Sequence, residues 1–124
     1  MAGLWYEEFK PGMEFRHPLT RTITEMDNIL FCALTHNPQP LHLDEEFSKK
    51  TMFKQRIVNS LFTLGLVIGV TVADTTLGTT LGNLGMTDIR FKNPLFHGDT
   101  VNVVTRVKEM RESKTRPNEG LVVF

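Results

Sequence analysis

The feature that most constrains this chain is a stretch without any charged residue, from Ile57 to Ala73. It is shorter than the roughly 20 predominantly apolar residues that span a membrane, and it includes polar Asn, Ser and Thr side chains. In a water-soluble protein, a helix that is apolar on every side is buried on every side. We therefore predict a helix over 60–72 with a sheet wrapped around it.

The segments on either side of this run predict the strands of that sheet. Four segments are predicted to be extended, because apolar and polar residues alternate in them or because they contain β-branched and aromatic residues. They lie at 13–22, 83–92, 100–110 and from about Gly120 onward. Pro18 lies inside the first segment, which predicts either an edge strand or an interrupted strand. This order of elements indicates an α+β chain, and a curled antiparallel sheet around one long buried central helix is the hot-dog fold. We expect its edge strand to pair with a second copy, which gives a homodimer or a higher oligomer of dimers.

Another helix is predicted before the charge-free run. Thr24 has the side chain of a helix N-cap, and the prolines after Asn37 cannot continue a helix. The spacing i, i+3, i+4 and i+7 predicts that its apolar face consists of Met26, Ile29, Leu30 and Ala33. A short polar helix is expected over 44–50.

Length and composition bound the remaining possibilities. The 124 residues suffice for one domain, 1–124, and 40% hydrophobic with 23% charged residues is ordinary for a globular protein. Lys and Arg number 14, as do Asp and Glu, so neither a nucleic-acid nor a membrane partner is indicated. The single cysteine, Cys32, excludes an internal disulfide and is expected in the core. The first residues lack the basic and apolar regions of a signal peptide, so we expect a cytoplasmic protein, and the apolar end at 121–124 leads us to expect truncation within a strand.

His42 is the titratable residue best suited to catalysis. It lies between Leu41 and Leu43 in a segment predicted to be extended, so its imidazole is either a hydrogen-bonded core group or a poised acid or base. His17 and His97 are expected at the surface. The glycines fit no phosphate-binding loop, and no cysteine–histidine pair has zinc-binding spacing, so no metal site is predicted.

Three blocks of the sequence resemble the MaoC-like dehydratases, or R-specific enoyl-CoA hydratases. Residues 31–44 read FCALTHNPQPLHLD, residues 57–62 read IVNSLF, and residues 91–100 read FKNPLFHGDT. The last block is similar to the family's Phe-x-x-Pro-Val-x-x-Gly-Asp-Thr segment, and the blocks follow the family's order over 9–110. The resemblance implies a hot-dog fold, in agreement with the argument from the charge-free run.

The resemblance also implies catalytic positions. In the family's motif Asp-x-Asn-Pro-x-His, the aspartate and the histidine activate the water that attacks the enoyl thioester. The histidine corresponds to His42 and the aspartate to Asn37. An amide accepts a hydrogen bond but not a proton, so we expect Asn37 to orient the water and His42 to transfer the proton. Asp44 is either a substitute carboxylate or the cap of the helix that follows it.

A third catalytic position is implied at the start of the long helix. The family's Val-His-Gly triplet, whose glycine N–H faces the thioester oxygen, corresponds here to Val58-Asn59-Ser60. Because the donor is a backbone amide at a helix N-terminus, the N–H of Ser60 can keep this role. Asn59 is expected to cap the helix.

The leading hypothesis is a hydro-lyase that adds water to an enoyl-CoA thioester or removes it from a hydroxyacyl-CoA. CoA is part of the substrate, and no metal or redox cofactor is required because the thioester carbonyl acidifies the α-carbon. Two alternatives remain. A hot-dog thioesterase is disfavoured because residues 59–73 contain no carboxylate, and a non-catalytic acyl-CoA binding subunit would have no turnover to lose.

Overall fold

The computed structural model describes residues 3–124. They form two compact units: unit 1 contains the residues up to Leu19, Ile68–Gly85 and Asn102–Phe124, and unit 2 contains Thr20–Val67 and Met86–Val101. In chain order, the elements are a 3-10 helix at Tyr6–Glu8, β1 (Glu14–Arg16), β2 (Arg21–Thr22), α1 (Glu25–Leu34), α2 (Pro40–Leu43), α3 (Glu45–Lys49), α4 (Ser60–Thr75), β3 (Thr100–Val101), β4 (Val104–Arg106), β5 (Glu109–Glu112) and β6 (Gly120–Val123). The α+β class predicted from the element order is confirmed.

Unit 1 contains two antiparallel strand pairs and a buried histidine. β1 pairs with β4, with Phe15 opposite Thr105, and β5 pairs with β6. The His17 side chain is 0% exposed, with Nδ1 2.7 Å from the Asp74 carboxylate and Nε2 2.8 Å from Thr105 Oγ1. The expectation that His17 lies at the surface is therefore wrong, because these partners satisfy both ring nitrogens inside the unit.

Unit 2 contains a third antiparallel pair. β2 pairs with β3, with Arg21 opposite Val101. β1 ends at Arg16 and β2 begins at Arg21, on either side of Pro18. The interruption predicted for the segment 13–22 is confirmed.

α1 begins and ends where local residue chemistry dictates. Thr24 Oγ1 accepts a hydrogen bond from the N–H of Asp27, whose carboxylate accepts one from the Thr24 N–H, a capping box. At the other end His36 has a φ of 55°, and the N–H of Asn37 donates to the Cys32 carbonyl at 2.9 Å. This left-handed residue and the returning N–H are the marks of a Schellman motif. The predicted helix after Thr24 is confirmed.

The face of α1 that is buried differs from the predicted one. Met26 and Leu30 are 69% and 52% exposed, whereas Asn28 and Cys32 are 0% and 1% exposed. Asn28 and Cys32 are four residues apart and share a face. The hydrogen bonds of the Asn28 amide, described below, hold this face inward. Cys32 is a core residue, as predicted.

α4 confirms the helix predicted over 60–72, although it is not buried on every side. Val70 is 3% exposed, but Leu61 and Ile68 are 59% and 37% exposed. The described strands form three separate two-stranded pairings. Among residues 3–124, no helix has both the length and the apolar character needed to cross a membrane.

The segment 83–92 is not a strand, against the prediction. A strand exists only with a hydrogen-bonded neighbour, and no backbone–backbone hydrogen bond within residues 3–124 involves this segment. Asp88 also has a φ of 53°, which bends the backbone away from extended geometry. The predicted strand 100–110 is divided among β3, β4 and the start of β5, and the strand predicted near Gly120 is confirmed as β6.

Candidate active site

His42 lies on α2, a single helical turn in unit 2. Pro40 starts this turn, since proline is suited to the first helical position. The expectation of an extended segment between buried leucines is wrong, because the turn leaves His42 half-buried and Leu43 36% exposed. The His42 Nδ1 atom lies 2.8 Å from the carbonyl oxygen of Ile57. A carbonyl can only accept, so Nδ1 carries a proton, and in the neutral form of the ring the lone pair is on Nε2.

Asn37 follows directly on the Schellman motif of α1 and is half-buried. Its Oδ1 accepts a hydrogen bond from the N–H of Gln39 at 3.0 Å, which is the geometry of an Asx turn. An amide oxygen has two acceptor sites, so one remains for a water molecule. The hydrogen bonds of Asn37 stay within its own turn and do not connect it to His42.

Asp44 caps α3 and is therefore engaged structurally. Its Oδ1 accepts a hydrogen bond from the N–H of Phe47 at 3.0 Å, and α3 begins at the next residue, Glu45. The capping role that the sequence offered for Asp44 is confirmed. The short helix expected over 44–50 is also confirmed.

Asn59 and Ser60 form the beginning of α4. Asn59 Oδ1 accepts a hydrogen bond from the N–H of Leu61 at 3.0 Å, which confirms Asn59 as the cap. Ser60 is the first residue of the helix, and none of the hydrogen bonds within residues 3–124 uses its N–H as donor. This N–H at the positive end of the helix dipole can bind a developing negative charge.

Asn28 connects His42 to the start of α4, and the sequence did not indicate it. Its Nδ2 lies 3.0 Å from the Ile57 carbonyl, the same oxygen that His42 Nδ1 contacts, and 3.4 Å from the His42 carbonyl. Its Oδ1 accepts a hydrogen bond from the N–H of Asn59 at 2.9 Å. Because a backbone N–H can only donate, this bond also fixes which end of the amide is oxygen.

His97 is the second residue that the sequence did not place in the site. Its Nε2 lies 3.0 Å from Asn28 Nδ2, which can only donate, so Nε2 is unprotonated. Burial has the largest effect on the pKa of His97 and lowers it below the ordinary value of 6.5, and the positive charge of Arg56 lowers it further. The negative charges of Glu25 and Glu45 raise this pKa, but their effect is smaller. His97 is half-buried, so the expected surface position is wrong. In the pattern matched by residues 91–100, position 97 can be any residue, so no signal in the sequence pointed to His97.

Arg56 balances two carboxylates beside these groups. Its Nε lies 2.7 Å from Glu45 Oε2 and its Nη1 lies 2.7 Å from Glu25 Oε1, with the arginine side chain 15% exposed. These two hydrogen bonds raise the pKa of Arg56. The cluster links the first turn of α1 to the first turn of α3. Within the described residues, no group of three or more His, Cys, Asp or Glu side chains could hold a metal ion.

Comparisons with known proteins agree with this architecture. The family described as MaoC like domain matches residues 8–122. The (R)-specific enoyl-CoA hydratase of Rhodospirillum rubrum is 32% identical over 107 residues, which cover 83% of this chain and 69% of that protein. The beta-methylmalyl-CoA dehydratase of Chloroflexus aurantiacus is 30% identical over 112 residues, 90% of this chain but 32% of that protein. This chain thus spans about a third of the second relative's length.

A solved structure places the fold in the hot-dog class. The crystal structure of the MaoC-like dehydratase from Rhodospirillum rubrum superposes with a TM-score of 0.79 at 26% identity, over 97% of this chain and 81% of that one. The hot-dog fold predicted from the charge-free run is confirmed. The chain belongs to the MaoC-like dehydratase family.

Lowering the pH should destabilise the protein through His97. Its folded-state pKa is below the ordinary 6.5, so its contribution to stability is present above pH 6.5 and is lost as the pH falls below that value. Asp27, whose pKa the Arg21 hydrogen bond lowers to about 2, titrates far below this window.

We expect an NMR titration midpoint for the His97 imidazole below 6.5. We also expect the free energy of unfolding to fall less steeply between pH 7 and 5.5 in His97→Gln, which keeps an acceptor but does not titrate. A midpoint at or above 6.5 would contradict this.

Proposed function

We propose that this chain is an acyl-CoA hydro-lyase in which His42 is the general acid and base. The observation that carries the proposal is the hydrogen bond from His42 Nδ1–H to the Ile57 carbonyl. It fixes the neutral tautomer whose Nε2 lone pair can take a proton from water. The class of reaction is supported by family membership and by relatives named as an enoyl-CoA hydratase and a beta-methylmalyl-CoA dehydratase.

In the hydration direction, the water oxygen bonds to C3 of the enoyl thioester while His42 takes one proton from the water. The C2–C3 double bond becomes a single bond as its electrons move toward the thioester oxygen, and His42 then returns the proton to C2. Dehydration is the reverse of these steps. Asn37 orients the water through the acceptor site of Oδ1 that Gln39 does not use.

The N–H of Ser60 stabilises the enolate-like thioester oxygen. It is a backbone donor at the positive end of α4, and such donors are effective because they are already oriented before charge develops. The thioester carbonyl itself acidifies C2, so proton transfer is sufficient and CoA serves as the carrier part of the substrate. The relatives differ in their acyl groups, and we assign CoA thioesters as a class.

The alternatives are weaker. A hot-dog thioesterase would use a carboxylate on the central helix. The α4 carboxylate, Asp74, is in the last turn and is hydrogen-bonded to His17. The His42 variants described below distinguish a non-catalytic acyl-CoA binding subunit from a catalyst.

We further propose that residues 1–124 act as a single hot-dog domain that assembles as a homodimer. The exposed apolar side chains, such as that of Leu61, support this assembly.

Replacing His42 should abolish most turnover. We expect His42→Ala and His42→Gln to lower kcat for hydration of an enoyl-CoA by about 100-fold or more, with acyl-CoA affinity little changed, because one acid and base group is lost. His36→Asn is the matched control, since it also removes an imidazole and asparagine tolerates the left-handed φ of 55°. A folded His42→Ala variant with the parental hydration rate would exclude the mechanism.

Variants of Asn37 test what the asparagine does at the position where the family motif has aspartate. Asn37→Asp keeps the oxygen that accepts from Gln39 and adds a basic site, so activity should survive or rise. The added carboxylate stabilises the imidazolium form of His42, so the pH optimum of hydration should move upward. Asn37→Leu removes the water acceptor and should lose most activity.

Hydration rate and acyl-CoA affinity are measured for both Asn37 variants, with circular dichroism as the control for folding. If activity appears only in Asn37→Asp and not in the parent, the chain is the non-catalytic binder. An Asn37→Leu variant as fast as the parent would place Asn37 outside the mechanism.

The N–H of Ser60 can be removed without disturbing the helix. Proline is well accepted at the first helical position, where its missing N–H breaks no helical hydrogen bond, and Ser60 is that residue of α4. We expect Ser60→Pro to lower kcat by about 100-fold, the typical cost of one oxyanion donor. Ser60→Ala keeps the N–H and should retain the parental kcat. Equal rates for the two variants would show that this N–H does not bind the thioester oxygen.

A further inference from the structure

We propose that Asn28 is a positioning residue that holds the general base and the oxyanion donor in a fixed relation to each other. The inference rests on the proposed function, since it concerns the roles given to His42 and Ser60. Asn28 itself touches no reacting atom in the mechanism above. It acts on both groups through hydrogen bonds to the residues beside them.

The connection to the base passes through one carbonyl group. The oxygen of Ile57 lies 3.0 Å from Asn28 Nδ2 and 2.8 Å from His42 Nδ1. A carbonyl oxygen has two acceptor sites, and here both are filled, one by the amide and one by the imidazole. The amide therefore limits the direction from which the ring of His42 can approach, and it fixes where Nε2 points.

The connection to the oxyanion donor passes through the helix cap. Asn28 Oδ1 accepts a hydrogen bond from the N–H of Asn59 at 2.9 Å. Asn59 in turn caps α4 through the N–H of Leu61, and Ser60 lies between these two residues. The position of the Ser60 N–H is thus set by the same side chain that orients His42.

The chemistry of this position requires an amide. Asn28 is 0% exposed, so water does not replace a lost partner, and a buried polar group left unpaired is costly. The site needs an acceptor toward Asn59 and donors toward Ile57 and His97. Aspartate offers only acceptors and leucine offers neither.

The experiment compares Asn28→Asp, Asn28→Leu and Thr105→Val with the parent. Asn28→Asp is isosteric and keeps the acceptor for Asn59, whereas Asn28→Leu removes both connections. Thr105→Val is the control for a general loss of stability, because it deprives the buried His17 Nε2 of its partner at 2.8 Å. The readouts are kcat, KM and the pH profile with an enoyl-CoA, and the imidazole ¹⁵N signals of His42 without substrate.

We expect kcat to fall by about 10- to 100-fold in both Asn28 variants, the cost of a small misplacement of catalytic groups, with KM changed less than kcat. In Asn28→Asp the new carboxylate stabilises the imidazolium form of His42, so the acid limb of the pH profile for hydration should move to higher pH. The His42 signals should lose the fixed Nδ1–H tautomer. Thr105→Val should be less stable but keep the parental kcat and pH profile.

A merely structural role predicts a different result. If folded Asn28→Asp keeps the parental kcat, pH profile and His42 tautomer while only its stability falls, the proposal is overturned. Should Asn28→Leu fail to fold, the isosteric Asn28→Asp still decides the question. If the parent hydrates no enoyl-CoA, the proposed function fails, and the His42 signals alone then support or overturn the positioning role.

Discussion

The buried amide of Asn28 is the interaction on which unit 2 depends. Its oxygen and nitrogen meet groups from three other segments, at residue 42, at residues 57 and 59, and at residue 97. In an interior from which water is excluded, such a network is stable only when every member is paired. This constraint explains why α1 turns Asn28 and Cys32 inward and leaves Met26 and Leu30 outside, in preference to burying its apolar stripe.

The same network determines the role of one ring nitrogen in each of two histidines, because each of these nitrogens faces a partner that can only accept or can only donate a hydrogen bond. The carbonyl of Ile57 can only accept, so His42 carries its proton on Nδ1. The amide nitrogen of Asn28 can only donate, so His97 has its lone pair on Nε2. Hydrogen bonding thus leaves Nε2 of the neutral His42 ring available for proton transfer, while burial and the charge of Arg56 lower the pKa of His97.

Much of the fold and of the candidate site could be predicted from residues close together in the chain. The capping box of Thr24 and Asp27, the Asn59 cap and the break at Pro18 were predicted wholly or in part because each depends on a few neighbouring residues. The charge-free run specified α4, and the hydration motif directed attention to His42. The positions of Asn28 and His97 in the site were not predicted, because nothing in their local sequence distinguishes a buried, hydrogen-bonded side chain from an exposed one.

The sequence by itself determined the α+β class, the helix ends and the family, since these follow from local chemistry and from motifs. The tertiary structure decided which polar groups are paired. His17 finds its partners 57 and 88 residues away, and Asn28 meets His97 across 69 residues. It also decided that 83–92 is not a strand, because an extended segment becomes one only when another backbone lies beside it. Partners at such separations leave no periodic signal in the chain, so only folding brings them together.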